Sequence, residues 1–185
     1  MNSYIPLPFS PINDQRQVQQ LELLTQDIVD KPGHLNTDWL LNNKWALCLV
    51  ESASHFDKSD ADKISHALKI IGCEKCFAVA TEHLDNFPHC FQLSATSEGL
   101  LDFSDECGHL NFVIVPKNRS FAILCTVYDY FIVAGNLEFV NCAVGGDMKA
   151  ARAKFNEVAS NDWWQGKLLA VAKRYEGFKS SNLEL

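Results

Sequence analysis

The sequence predicts an α+β fold: one domain with a central, mostly antiparallel sheet and helices packed on it. Three observations carry that expectation. Residues 111–134 form three runs rich in β-branched and aromatic side chains, 111–115, 120–126 and 130–134. The turn residues 116–119 and a polar step at Asp129 separate them, so they read as a meander. Elsewhere, apolar residues recur at helical spacing, as in Ala61, Ile64, Ala67, Leu68 and Ile71. Finally, 185 residues with 47% hydrophobic and 21% charged side chains suit one ordinary domain with its own core. Within the meander, Phe121, Ile123 and Cys125 alternate with the equally apolar Ala122 and Leu124. Both sheet faces are therefore expected to be covered, by helices on one side and by something else on the other.

Taken in order, residues 1–12 read as an extended, proline-containing arm with Pro6, Pro8 and Pro11. The domain proper is expected over 13–178, followed by a flexible tail at 179–185. Asn13 is placed to cap a helix reaching about Val29, with Pro32-Gly33 stopping it. A short helical turn is expected over 37–42 and a strand over 44–51. Ser59 then caps a helix that Gly72 ends. Residues 76–81 form the next strand, making either a βαβ unit or an antiparallel arrangement. Short strands are expected at 91–93 and 100–103, before the meander. After it come a helix at 137–143 ended by Gly145-Gly146, a helix capped by Asp147, and a last helix opened by Asp162 and Gln165.

Charge is distributed unevenly. Between Cys76 and Pro116 the chain has six acids (Glu82, Asp85, Glu98, Asp102, Asp105 and Glu106) and no Lys or Arg, which is −6 of the net −7. An acidic surface repels nucleic acid and steers basic partners toward itself. No apolar run approaches the roughly 20 residues needed to span a bilayer. The N-terminus has neither a basic segment nor an uninterrupted apolar run, so a cytoplasmic protein without a signal peptide is expected. Seven cysteines, an odd number, with Cys48, Cys125 and Cys142 in apolar runs, argue against a disulfide framework.

Catalytic patterns find little purchase. Cys73-Glu74-Lys75-Cys76 follows a helix instead of opening one, so it lacks the dipole that stabilises a redox thiolate. A zinc site drawn from Cys73, Cys76, His83, His89, Cys90, Cys107 and His109 lacks two well-spaced ligand pairs. Cys107 and His109 stand too close in sequence, and among too many acids, for a thiolate–imidazole pair. Gly145-Gly146-Asp147 reads as a loop and a helix cap. Trp45 and Trp164 read as core residues and Trp163 as exposed. The reading assigns no catalytic residue, no metal and no cofactor. It places partner binding on Glu98, Asp102, Asp105 and Glu106, with Asp85 as a further member.

The stretch Asn118-Arg119-Ser120-Phe121-Ala122-Ile123-Leu124-Cys125-Thr126, then Asp129-Tyr130, Val133-Ala134-Gly135 and Glu138-Phe139-Val140, resembles small bacterial toxin-immunity-type proteins. The resemblance covers about a sixth of the chain, in strand-core positions, and transfers no functional residue. It implies a stoichiometric inhibitor, without an active site of its own, that neutralises a cognate toxin. Toxin domains acting on nucleic acid tend to be basic, which agrees with the acidic block. The alternatives are a Cys/His metal-dependent enzyme or module, and a regulatory or assembly subunit.

Overall fold

The computed structural model describes residues 8–53, 55–82, 85, 87–161 and 166–178. The chain opens with β1 (Phe9–Pro11), α1 (Gln15–Thr25), β2 (Val29–Lys31), β3 (His34–Leu35), α2 (Thr37–Asn42) and β4 (Ala46–Glu51). Next come α3 (Lys58–Ile70), β5 (Lys75–Ala80), β6 (Cys90–Ser94) and α4 (Ser97–Cys107). The meander is β7 (Phe112–Val115), β8 (Phe121–Cys125) and β9 (Tyr130–Gly135). Helices α5 (Leu137–Ala143), α6 (Met148–Asn161) and α7 (Lys167–Arg174) complete the described chain.

Seven strands form one sheet in the order β1-β6-β5-β7-β8-β9-β4, and every neighbouring pair is antiparallel. The α+β expectation holds, with the meander at its centre. Strands β4 and β5 are not neighbours: β7, β8 and β9 lie between them, so the antiparallel alternative is the observed one.

Helices cover both faces of the sheet, where the sequence suggested them on one. Phe121, Ile123 and Cys125 face a core completed by Ile64 and Leu68 of α3, Leu100 and Phe103 of α4, and Phe139 and Val140 of α5. Ala122 and Leu124 face the opposite core, completed by Leu21, Leu40, Phe155 and Val171 from α1, α2, α6 and α7. This double covering explains why the strands read as continuous apolar runs without alternation. Burying each large side chain contributes roughly 1.5–3 kcal/mol, and Phe103, Phe112, Phe121 and Phe131 are all sealed from solvent.

Several boundaries move for physical reasons. Phe9–Pro11 of the expected arm pairs as an edge strand on β6, and the Phe9 ring lies 6.0 Å from both Phe91 and Phe103. Pro11, with no N–H, suits an outer strand. Residues 1–7 and 179–185 lie outside the described residues. Helix α1 is capped by Asp14, whose Oδ1 accepts from the Gln17 N–H at 2.8 Å, and it ends at Thr25. Pro32-Gly33 does not stop a helix; it turns the β2–β3 hairpin, with Gly33 at φ 78°. Helix α3 is capped by Asp57 in place of Ser59. Residues 137–143 are helical as expected, and Asp147 Oδ1 accepts from the Ala150 N–H at 2.9 Å, as a cap does. The expected start of the last helix, at Asp162 and Gln165, and both Trp163 and Trp164 lie outside the described residues.

The outer edge of β4 lies against α6. The Arg152 guanidinium of α6 donates through Nη2 to the Leu47 carbonyl at 2.5 Å and to the Phe178 carbonyl. A cation occupying an outward carbonyl blunts the edge against pairing with another chain.

Candidate functional site

The expected strand at 100–103 is a helix, and this correction makes the acidic residues a surface. Thr96 caps α4 by accepting from the Gly99 N–H through Oγ1 at 3.1 Å. Gly99, Leu100, Phe103, Ser104 and Cys107 are buried along one side of the helix. Glu98, Asp102, Asp105 and Glu106 fall on the other, because offsets of four, seven and eight residues return to one helical face. Asp102 is half-buried and the other three are exposed. The expected strand at 100–103 would have held only Asp102 of the four. The helix was recoverable from Thr96 as a cap and from the apolar spacing of Leu100, Phe103 and Cys107.

Three contacts hold α4 in place. Gly99 packs so closely on β6 that an added Cβ would lie 2.5 Å from the Ser94 carbonyl oxygen. The Ser104 hydroxyl donates to the Phe56 carbonyl at 3.2 Å and accepts from the Phe56 N–H at 3.0 Å, tying α4 to the β4–α3 connection. At the start of the helix, the Ser97 hydroxyl donates to Asp62 Oδ1 of α3 at 2.6 Å.

Electrostatically, the stripe is mixed: Glu98 in the first turn suits the positive end of the helix dipole, while the acids after it repel one another. Glu98–Asp102, Asp102–Asp105 and Asp102–Glu106 are like-charge pairs at helical contact spacing, each costing about 0.2–0.5 kcal/mol when poorly screened. Asp105 and Glu106 stand in the last turn, beside the negative end of the helix dipole, and that turn has no basic residue. Asp85 is exposed but belongs to the β5–β6 connection, not to α4. Glu82, on the same connection, accepts from Asn111 Nδ2 at 2.9 Å and so has a structural task.

The Cys/His region does not converge. Cys76 belongs to the core under α3, α4 and α5, whereas Cys90 belongs to the core on the opposite face of the sheet. Among the described residues no group of three or more His, Cys, Asp or Glu side chains is arranged to hold a metal ion. His83 lies outside the described residues. All seven cysteines are unpaired thiols. Burial pushes Cys48, Cys90 and Cys107 up to about 11 and raises Cys73, Cys76 and Cys125 as well, which disfavours the nucleophilic thiolate.

His55 has no signal in the sequence pattern. It is fully buried in the β4–α3 connection, and its ring stacks at 5.8 Å on Phe103 of α4. Its Nε2 lies 2.7 Å from the Leu110 carbonyl, an acceptor, so the proton sits on Nε2, and Nδ1 has no partner among the described residues. Desolvation first, then the charge of His109, lowers its pKa to about 4 against the Leu110 hydrogen bond, which raises it. His55 is therefore neutral packing beneath the acidic helix.

No protein-family model, no curated protein and no solved structure matches the chain. Among the described residues no helix is long and apolar enough to cross a membrane. The functional reading therefore rests on the α4 surface.

Proposed function

We propose that the chain is a binding protein that captures a basic protein partner through the exposed face of α4. In the form implied by the immunity-type resemblance, it neutralises a cognate toxin domain by stoichiometric occlusion. The observation that carries the reading is the stripe Glu98, Asp102, Asp105 and Glu106 on one rigidly seated helix face, in a stretch with no Lys or Arg. Asp105 and Glu106, which stand at the negative end of the helix dipole and at contact spacing from Asp102, weaken the helix that bears them, which favours a role outside the fold.

A field of one sign steers a partner of opposite sign and raises the association rate, while shape and buried contacts set the dissociation rate. A nuclease-type toxin domain offers the basic surface with which it would otherwise grip phosphate. Covering that surface inhibits it without chemistry. A regulatory or assembly subunit would use the same surface toward a different basic partner.

The deciding experiment is a pull-down of the tagged chain from its source cells, with bound proteins identified by mass spectrometry. The expected result is one basic partner at about one-to-one stoichiometry, toxic when expressed alone and harmless when co-expressed. The triple change Asp102→Lys, Asp105→Lys and Glu106→Lys should then slow association at least about tenfold at low salt. A partner that binds the triple variant at the wild-type rate removes α4 from the interface. A non-toxic partner removes the immunity reading while leaving the binding one.

A further inference from the structure

Between α6, α7 and the outer edge of β4 lies an open groove of about 300 Å³. Helical spacing builds its walls. Arg152, Phe155 and Ala159 recur along one side of α6, and Leu169, Ala172 and Glu176 along one side of α7, at intervals of three and four residues. Ala159 and Ala172 line the groove with single methyl groups, leaving space that larger side chains would fill. Leu47, Leu49 and Phe155 are buried and form an apolar floor, and Leu169 on the α7 wall is 38% exposed.

Arg152 brings a charge into this apolar lining. Its Nη2 is taken by the Leu47 and Phe178 carbonyls. Its Nε and Nη1 bond to no described residue and are not among the donors sealed from solvent, so they stay open to an incoming acceptor. Among the described residues no carboxylate pairs with the guanidinium. Partial burial lowers its pKa against the raising influence of the Cys48 thiol, as befits a charge that its surroundings compensate incompletely. Lys173 adds a second cation to the lining, against the single acid Glu176.

We propose that this groove binds a small amphipathic anion: an apolar chain laid on Leu49, Phe155 and Leu169, ending in one negatively charged oxygen group held by Arg152. An apolar cleft with a few placed polar groups is the usual form of a small-molecule site, and about 300 Å³ is at the small end of that range. Charge complementarity sets the sign of the head group, because the lining carries two cations and one acid. With Nη2 already occupied, the open donors favour a single charged oxygen over a forked pair. The site is independent of the acidic helix, since α6 and α7 cover the sheet face opposite α4.

The test uses the full chain with labelled methyl groups, titrated with octanoate, octyl sulfate, octanol or octyltrimethylammonium below micelle formation. The Leu49, Leu169 and Ala172 methyl resonances are followed by NMR. At least one of the two anions is expected to shift them saturably, with octanol and octyltrimethylammonium at least about tenfold weaker. The tighter anion identifies the head group. Ala172→Phe fills the groove without touching a bond of Arg152 and should abolish the response at Leu49 and Leu169. Lys173→Glu, on an exposed residue, should weaken it about threefold at low salt. Unchanged spectral dispersion elsewhere shows that both variants fold. Octanol binding as tightly as the anions, a response that survives either variant undiminished, or no shift of these methyls with any probe overturns the proposal.

Discussion

Replacing Asp105 and Glu106 of α4 by Lys should make the protein more stable. The change removes the repulsions Asp102–Asp105 and Asp102–Glu106 and substitutes attractive pairs with the acid on the N-terminal side, the favoured order. Each conversion is worth roughly 0.4–1 kcal/mol, twice the usual pair energy. Two cations in place of two anions at the helix C-terminus add a favourable dipole contribution of about 0.3–1 kcal/mol per site. Because both residues are exposed and screened, only part survives, and a net gain of about 1 kcal/mol is expected. For a chain of this size that raises Tm by roughly 2–4 °C. Thermal melts at low and at about 0.5 M salt are the assay, and the gain should shrink at high salt, where the Debye length falls to a few ångströms. An unchanged or lowered Tm would show that these acids make stabilising contacts in the native fold, and the argument for an outward role would fail. A raised Tm together with slower partner association is the signature of a surface kept for binding at some expense to stability.

Other outcomes follow from the same geometry. His55 is held neutral with a folded pKa of about 4 against 6.5 when unfolded, so stability should be complete above pH 6.5 and fall as the pH drops toward 4. The loss is about 3 kcal/mol, and urea titrations of His55→Gln should show a shallower slope in that window; an identical slope refutes the assignment. Gly99→Ala should destabilise by about 1–3 kcal/mol despite better helix propensity, because its Cβ meets the Ser94 carbonyl; a higher urea midpoint would show that α4 moves freely. Arg152→Met keeps the stem but strips the hydrogen bonds to the Leu47 and Phe178 carbonyls, and should cost about 1.5–3 kcal/mol by denaturant unfolding; no change would mean that water replaces the guanidinium fully.

What the sequence revealed was local. The three meander strands announced themselves through dense β-branched and aromatic runs, and α5 through the double glycine after it. Helix α4 was misread because Leu100, Leu101 and Phe103 form a short apolar run, which suits either state until the spacing to Cys107 is weighed. The four acids could be picked out by charge alone, but their common face could not, since that depends on the helix. Nonlocal facts were out of reach. The pairing of Phe9–Pro11 with β6, the separation of Cys76 from Cys90 by the sheet, and the shielding of His55 all arise from residues distant in the chain.

The place of β4 at the sheet's far edge has a consequence for the order of events during synthesis. Among the described residues its sole strand partner is β9, with Ala46 opposite Gly135 and Glu51 opposite Tyr130. At about 5–20 residues per second, the ribosome delivers β9 roughly 4–16 s after β4. Throughout that interval Ala46–Glu51, a run of almost entirely apolar residues, has no strand to lie against. A nascent chain stalled before Tyr130 would present that bare apolar segment to chaperones and proteases, and only a ribosome that reads past Gly135 releases a chain able to close its sheet.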